Sequence, residues 1–337
     1  MQKDYQSIIF ELVKQKINGQ DSLGNALGEL LSISSDAVYR MYRGETQLTI
    51  YELEKIARHY SISLDNLFGV RENQVIFDFS PLAEYDFSMD SYLNRILSGF
   101  KSIRAGKNPS LIATINNTPL LQILNFPHLV RFKLFFWAKT HLQIEEYADV
   151  KFKREKATEK TFLLGREVLQ NYNAIPSKEL IDPDFLRGFV REIQYYFNAH
   201  HFEDRSYAIH LLDYLLAFVA HFKRQCELGK KFIYGTQPPA EGNDFEVYHN
   251  EVLNGISSTF YQNSEADGLY LVHNIMNPLH TSNAEYVLES RKVLDKEIAN
   301  ASIISVVNER ERNHFFHQIE TMILRAKKQM ELELEQL

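Results

Sequence analysis

A single cysteine, Cys226, stands among 337 residues, so an intrachain disulfide and a thiolate-rich metal site are both excluded, and the chain suits a reducing compartment. Long apolar runs are equally scarce. The longest patch, Leu211 to Phe222, is interrupted by Asp213 and falls short of the roughly 20 residues that cross a bilayer. The first residues carry Asp4 and Glu11 and no apolar core of a secretory signal, so the expected location is the cytoplasm, without a membrane partner. Positive charge is not in excess either: 37 Lys and Arg face 44 Asp and Glu, a net charge of −7. A globally basic coat for nucleic acid or anionic lipid is therefore excluded. Also missing are a phosphate-cradling G-x-x-x-x-G-K-[ST] loop, a G-x-S-x-G elbow and an H-E-x-x-H pair, so no catalytic residue and no cofactor is expected. No 34-residue helical repeat with a W-x-x-L-G signature recurs. What remains is ordinary: 45% apolar and 12% aromatic residues, enough for two or three domains with cores of their own.

The informative stretch runs from Leu27 to Phe68, LGELLSISSDAVYRMYRGETQLTIYELEKIARHYSISLDNLF. Leu27, Leu30 and Leu31 form an apolar stripe at helical period, and Ile33 follows a serine at which the chain must turn, so Ile33 can plug the corner between two crossing helices. Ser34 and Ser35 offer oxygens to cap a second helix, which runs to Arg43 before Gly44 supplies a left-handed stop. On that helix Ala37, Val38 and Met41 share one face, leaving Ser35, Asp36, Tyr39, Arg40 and Arg43 on the other.

These residues resemble the Cro-like, or XRE, family of helix-turn-helix regulators, whose pattern runs roughly L-A-E-x-L-G-I-S and then x-x-x-[IV]-S-x-x-E-R-G. Leu27, Glu29, Leu31, Ile33, Ser34, Val38, Arg43 and Gly44 fit it. Leu53, Ile56, Ala57, Ile62, Ser63, Leu64, Asp65, Leu67 and Phe68 match the last two helices of the family, and Tyr5 to Ile17 supplies the first, so the resemblance covers residues 5–69. It implies a transcription regulator that binds double-stranded DNA as a homodimer, with its second helix in the major groove. In that pose Arg40 and Arg43 contact bases or phosphates, Ser35 and Tyr39 enter the groove, and Gln47 meets the backbone past the turn. Asp36 would repel phosphate or select a cytosine amine. Some phage repressors of this superfamily end in a self-cleaving Ser-Lys domain, but the last third of the chain lacks a matching Ala-Gly site and dyad.

Three positions depart from the family: Gly28 replaces Ala, Ser32 replaces the favoured turn Gly, and Gly24 replaces a phosphate-contacting Gln. Glycine loosens a helix, and serine pays to enter positive φ. From Lys3 to Asp65 seven basic residues face nine acidic ones, whereas duplex binders usually carry a basic footprint. The competing expectation is a protein-interaction adaptor whose helix-turn-helix no longer binds DNA.

The remainder reads as mainly helical. Residues 71–89 form an irregular, acidic, aromatic linker with a short strand at Val75 to Phe79. A helical domain over residues 90–232 is expected, with helices near 90–103, 128–143, 157–173, 183–199 and 205–229, an extended run at LIATINNTP and polar breaks such as IPSKELIDPD. Its aromatics, among them Phe132, Phe136, Trp137, Tyr196, Phe218 and Phe222, form a core or line a cavity for an apolar effector; a small molecule or a peptide would suit such a sensor. GTQPPAEGND marks a boundary, after which short alternating runs at Phe245 to His249, Gly255 to Tyr261 and Gly268 to Ile275 read as strands of a small α+β domain, residues 245–337, for sensing or dimerisation. The final helix carries Phe316, Ile319, Ile323, Ala326 and Met330 at steps of three and four, suiting either coiled-coil pairing or packing on its own domain. His210 and His221 could share a face but have no third ligand, and His314 and His317 stand at i and i+3, a spacing that can bind metal; with twelve histidines such pairs arise by chance and no cysteine pair strengthens them, so no metal is expected. The expected fold is mainly α: a four- to five-helix helix-turn-helix domain over residues 1–70, then the helical domain, then the small α+β domain.

Overall fold

Asp4, Ser22, Ser34 and Thr49 each precede a helix, because a short side-chain oxygen at each accepts an otherwise unpartnered amide three residues on. In this computed structural model, which describes residues 4–17, 22–68, 74–79, 88–154, 159–241, 244–253, 255–274 and 277–336, they open α1 (Tyr5–Lys16), α2 (Leu23–Leu31), α3 (Ser35–Tyr42) and α4 (Ile50–His59), and α5 (Leu64–Phe68) follows. Thr49 and Glu52 satisfy one another's backbone amides in a reciprocal capping box. These helices belong to the first of two compact units, residues 1–76; the second spans residues 77–337. Ile9, Phe10, Val13, Leu27, Val38 and Ile56 are the buried centre of the first unit.

In the second unit α6 (Met89–Ala105) leads into β1 (Ser110–Ile115), which pairs in parallel with β2 (Ser177–Ile181), and β2 pairs in parallel with β3 (Phe245–His249). Parallel neighbours need crossovers. Those crossovers are α7 (Leu120–Ile123), α8 (Pro127–Phe136) and α9 (Glu159–Asn173) before β2, then α10 (Arg187–Asn198) and α11 (Tyr207–Leu228) before β3. An antiparallel meander of β4 (Ser258–Gln262), β5 (Asp267–Asn274) and β6 (Asn277–Thr281) extends the sheet from β1. After α12 (Ala284–Ala299), β7 (Ser302–Ile303) closes the other edge against β3, and α13 (Glu309–Glu335) follows. The seven-stranded order is β6-β5-β4-β1-β2-β3-β7. Because side chains alternate across a strand, Leu111 enters the large core with α6, α8, α10, α11 and α13, while Ile112 enters a smaller one with Phe260, Leu269, and Val287 and Leu294 of α12.

This mixed sheet corrects the expected mainly-α plan. The segment expected to be a helical domain contributes β1 and β2 to the same sheet as the expected small α+β domain, so neither is a separate core. The physical reason lies in β2. Its Lys178 and Glu179 give SKELI the look of a polar break, yet Glu179 is buried against the apolar layer between Ala113 and Val247. Of the strand expected at Val75 to Phe79, a single antiparallel bridge between Asp78 and His280 is present; residues 71–73 and 80–87 of the expected linker and Ile275 lie outside the described residues. The aromatics fill the core: Phe132 is fully buried, stacked on Phe189 and Phe202 with ring centroids 5.9 and 5.7 Å away. The apolar seam of α13 packs into that core, and Lys327 of α13 reaches Asp213 of α11 at 2.5 Å.

Two sets of buried charges bring opposite signs together. Lys133 of α8 meets Glu192 of α10 at 2.5 Å. Under the sheet, the Tyr172 hydroxyl donates to Glu179, Gln122 donates to Tyr172 at 3.1 Å, and the Lys231 ammonium donates to the Ile175 carbonyl at 2.7 Å and to Ser177 Oγ at 2.9 Å. Burial drives the Glu179 carboxyl above its ordinary range and Lys231 down to about 7.

His221, buried on α11, donates from Nε2 to the Phe232 carbonyl at 3.0 Å, and burial lowers its pKa to about 4. Because the folded value lies below the unfolded 6.5, the neutral ring's contribution is complete above pH 6.5 and is lost as the pH falls toward 4. At 1.36 kcal/mol per unit that contribution is about 3 kcal/mol. Urea unfolding across that range should show His221→Gln losing less stability on acidification than the wild type. Equal slopes for the two proteins would remove His221 as the cause.

Candidate nucleic-acid interface

A helix presents one face to a partner only if its packing on its neighbour is fixed, and α2 approaches α3 and the turn before it through glycine. A Cβ built on Gly24 would stand 2.0 Å from Ser35 Oγ and 2.8 Å from Tyr39 Cε2, and one on Gly28 would stand 3.0 Å from the Ile33 carbonyl oxygen. The turn between them is Ser32, Ile33 and Ser34, and Ser32 takes φ 58°, ψ 44°, the left-handed region. Ser34 Oγ accepts from the Ala37 amide at 3.2 Å and so starts α3, and Gly44 at φ 74° follows its end. Val38 and Met41 point into the core, which leaves the other side of α3 in solvent.

That outer side carries Ser35, Asp36, Tyr39 and Arg40, with Arg43 at the cap and Gln47 beyond; all six are exposed. Ser35 and Tyr39 do not stand clear of the unit, however, since both lean on the N-terminal turn of α2 at Gly24. The arginines are clasped. Arg43 Nε donates to Glu45 at 2.6 Å, and Arg40 Nε lies 3.8 Å from the same carboxylate. Arg43, with Arg40 adding a smaller effect, holds the Glu45 carboxyl below its usual range. The other described cations of this unit are also engaged: Lys14 with Glu11, Lys16 with the Tyr60 carbonyl, Arg58 with Glu54, and Lys55 over the Tyr51 ring.

Sequence reasoning missed the residue that positions the loop after α3. The Gln6 amide donates to the Met41 and Thr46 carbonyls at 2.7 and 2.8 Å and accepts from the Leu48 amide at 2.9 Å, pinning both sides of Gln47 to α1. Nothing in the spacing of one glutamine signals this, because its partners lie about forty residues away. Also unforeseen are Ile50, 87% exposed, and Tyr51, 64% exposed, at the first turn of α4. Their signal was available: two large apolar residues directly behind a capping threonine, off the helix's buried stripe.

Among the described residues no group of three His, Cys, Asp or Glu gathers to hold a metal, and no helix is long and apolar enough to cross a membrane. His314 bonds Gln318 of its own helix, and His221 is committed to Phe232. Comparison of the chain with protein-family models, with curated proteins and with solved structures finds no match.

Proposed function

We propose that the chain is a sequence-specific DNA-binding transcription regulator that lays α3 in the major groove and acts as a homodimer, with the second unit as its dimerisation and sensing body. The observation that carries this reading is the α2–turn–α3 pair, locked at Gly24 and Gly28, with Ser35, Asp36, Tyr39, Arg40 and Arg43 along its solvent side. The resemblance of residues 5–69 to Cro-like regulators supports it. One head is small and carries few cations, so useful affinity requires two heads about one helical turn, roughly 34 Å, apart on DNA.

The test is selection from a random duplex library with the full chain at moderate salt, alongside its mass in solution. A palindromic motif retained by a dimer is expected, and Arg40→Ala with Arg43→Ala should lower retention at least about tenfold, since each phosphate or base contact supplies on the order of 1 kcal/mol or more. Retention unchanged in the double variant would overturn the reading. Glu45 also makes a prediction of the opposite sign. It competes with phosphate for both arginines, so Glu45→Gln should raise retention about two- to fivefold, the range an exposed ion pair supplies. Filter binding at two salt concentrations checks it; no gain would mean that the clasp does not oppose DNA.

A protein-interaction adaptor is the second reading, and one observation favours it: each described basic side chain of the first unit already has a partner within that unit. An unselective library together with an unchanged double variant would favour the adaptor.

A further inference from the structure

A groove of about 650 Å³ runs between α10 and α13. Arg187 and Arg191 line one side and Arg325 the other, over an apolar floor of Val190, Met322 and Ala326. Among the described residues no carboxylate lines it, although the whole chain carries seven more acids than bases. Arg187 is paired with Asp184 at 2.7 Å, outside the groove, but Arg191 and Arg325 have no ion pair or hydrogen bond within the described residues. Arg187 and Arg191, one turn apart, repel one another along α10, and like charges at that spacing destabilise a helix. Of the three guanidinium groups around this concavity, those of Arg191 and Arg325 thus leave an electrostatic demand that the described residues do not meet.

We propose that this groove is a binding site for a phosphorylated small molecule carrying two or more negative charges. The guanidinium fork matches phosphate oxygens in pairs, and a single carboxylate would neutralise only one of the two unpaired cations, Arg191 and Arg325. The Gln194 amide on the wall supplies a further donor for phosphate or for a hydroxyl group of the same ligand, whereas Gln318 and Gln329 are already bonded to His314 and Glu333 of their own helix. The volume falls in the range of small-ligand sites, and the floor takes the organic part of a phosphate ester. This assignment does not depend on DNA binding by the first unit.

Calorimetric titration of the full chain at low salt with inorganic pyrophosphate, the anion alone, tests it. Saturable binding of one pyrophosphate per chain is expected, weakened about tenfold or more in Arg191→Gln with Arg325→Gln, because charge-assisted contacts are lost. A control with the same change of charge, Arg224→Gln with Arg291→Gln, removes two cations that already sit in surface pairs and should bind within about twofold of the wild type. Melting temperatures of all three proteins establish that each is folded. Absence of saturable binding, or equal weakening in both double variants, would overturn the proposal. So would loss of duplex retention by the groove variant with no effect on pyrophosphate, which would make the groove a nucleic-acid surface.

Discussion

Gly24→Val should unfold the first unit at a temperature at which the second stays folded. The replaced position faces α3 at closer than van der Waals distance: a Cβ there meets Ser35 Oγ at 2.0 Å, Tyr39 Cε2 at 2.8 Å and Ser35 Cβ at 3.2 Å. The hydroxyl can rotate away and the tyrosine ring can swing outward, but Ser35 Cβ is fixed to the helix, and the branches of valine add bulk at the same seam. Overpacking of this kind costs about 1–3 kcal/mol, occasionally more, and valine gains little helix propensity over glycine to offset it. A small unit has a net stability of only about 5 kcal/mol, so such a loss brings it close to unfolding near body temperature. Gly24→Ala should lose less, because alanine recovers up to about 1 kcal/mol of helix propensity. Calorimetry with separate transitions for the two units distinguishes these results. A first transition unmoved by valine would show that α2 and α3 separate at little cost.

Lys231→Met should destabilise the second unit by about 3–5 kcal/mol, the usual loss when one member of a buried charged set is removed. The ammonium serves Ile175 and Ser177 and lies 3.9 Å from the Tyr172 ring centroid, and its field offsets the burial of Glu179. Glu179 has one oxygen bonded by Tyr172 and the other, Oε2, buried without a hydrogen bond. Without Lys231 its carboxyl is pushed further up. A group whose folded pKa exceeds its unfolded 4.5 contributes most below that value and loses the contribution as the pH rises. The deficit of the variant should therefore be smallest near pH 4.5 and grow as the pH rises above it. Lys231→Met combined with Glu179→Leu removes both charges and should recover most of the loss. A neutral single variant, or a double variant no more stable than the single, would sink the argument.

Legibility in the sequence followed how local each determinant is. The capping serines, Gly44 and the buried face of α3 are set within a few residues of one another, and each is visible as spacing. So are β3, β4 and β5, whose alternation survives because one face meets the core. β2 was hidden: a strand buried on both faces shows no alternation, and Glu179 replaces an apolar residue where the cluster with Tyr172 and Lys231 receives it. Gly24 and Gly28 look like weak points of a helix until α3 is seen against them. At the candidate interface, exposure of the six residues could be read from helical period, whereas the clasp on Arg40 and Arg43 depends on where the chain after Gly44 carries Glu45.

The last helix bears on the order in which the chain can mature during synthesis. The first unit spans residues 1–76, and among the described residues its core draws only on residues of that span. The second has its central strand at residues 110–115, yet its main core includes Phe315, Phe316, Ile319, Ile323, Ala326 and Met330. More than two hundred residues must therefore leave the ribosome before that core can close, about 10–40 seconds at ordinary elongation rates. During that interval the apolar faces of α10 and α11 lack the helix that covers them in the finished fold, and transiently exposed surface of this kind is prone to aggregate.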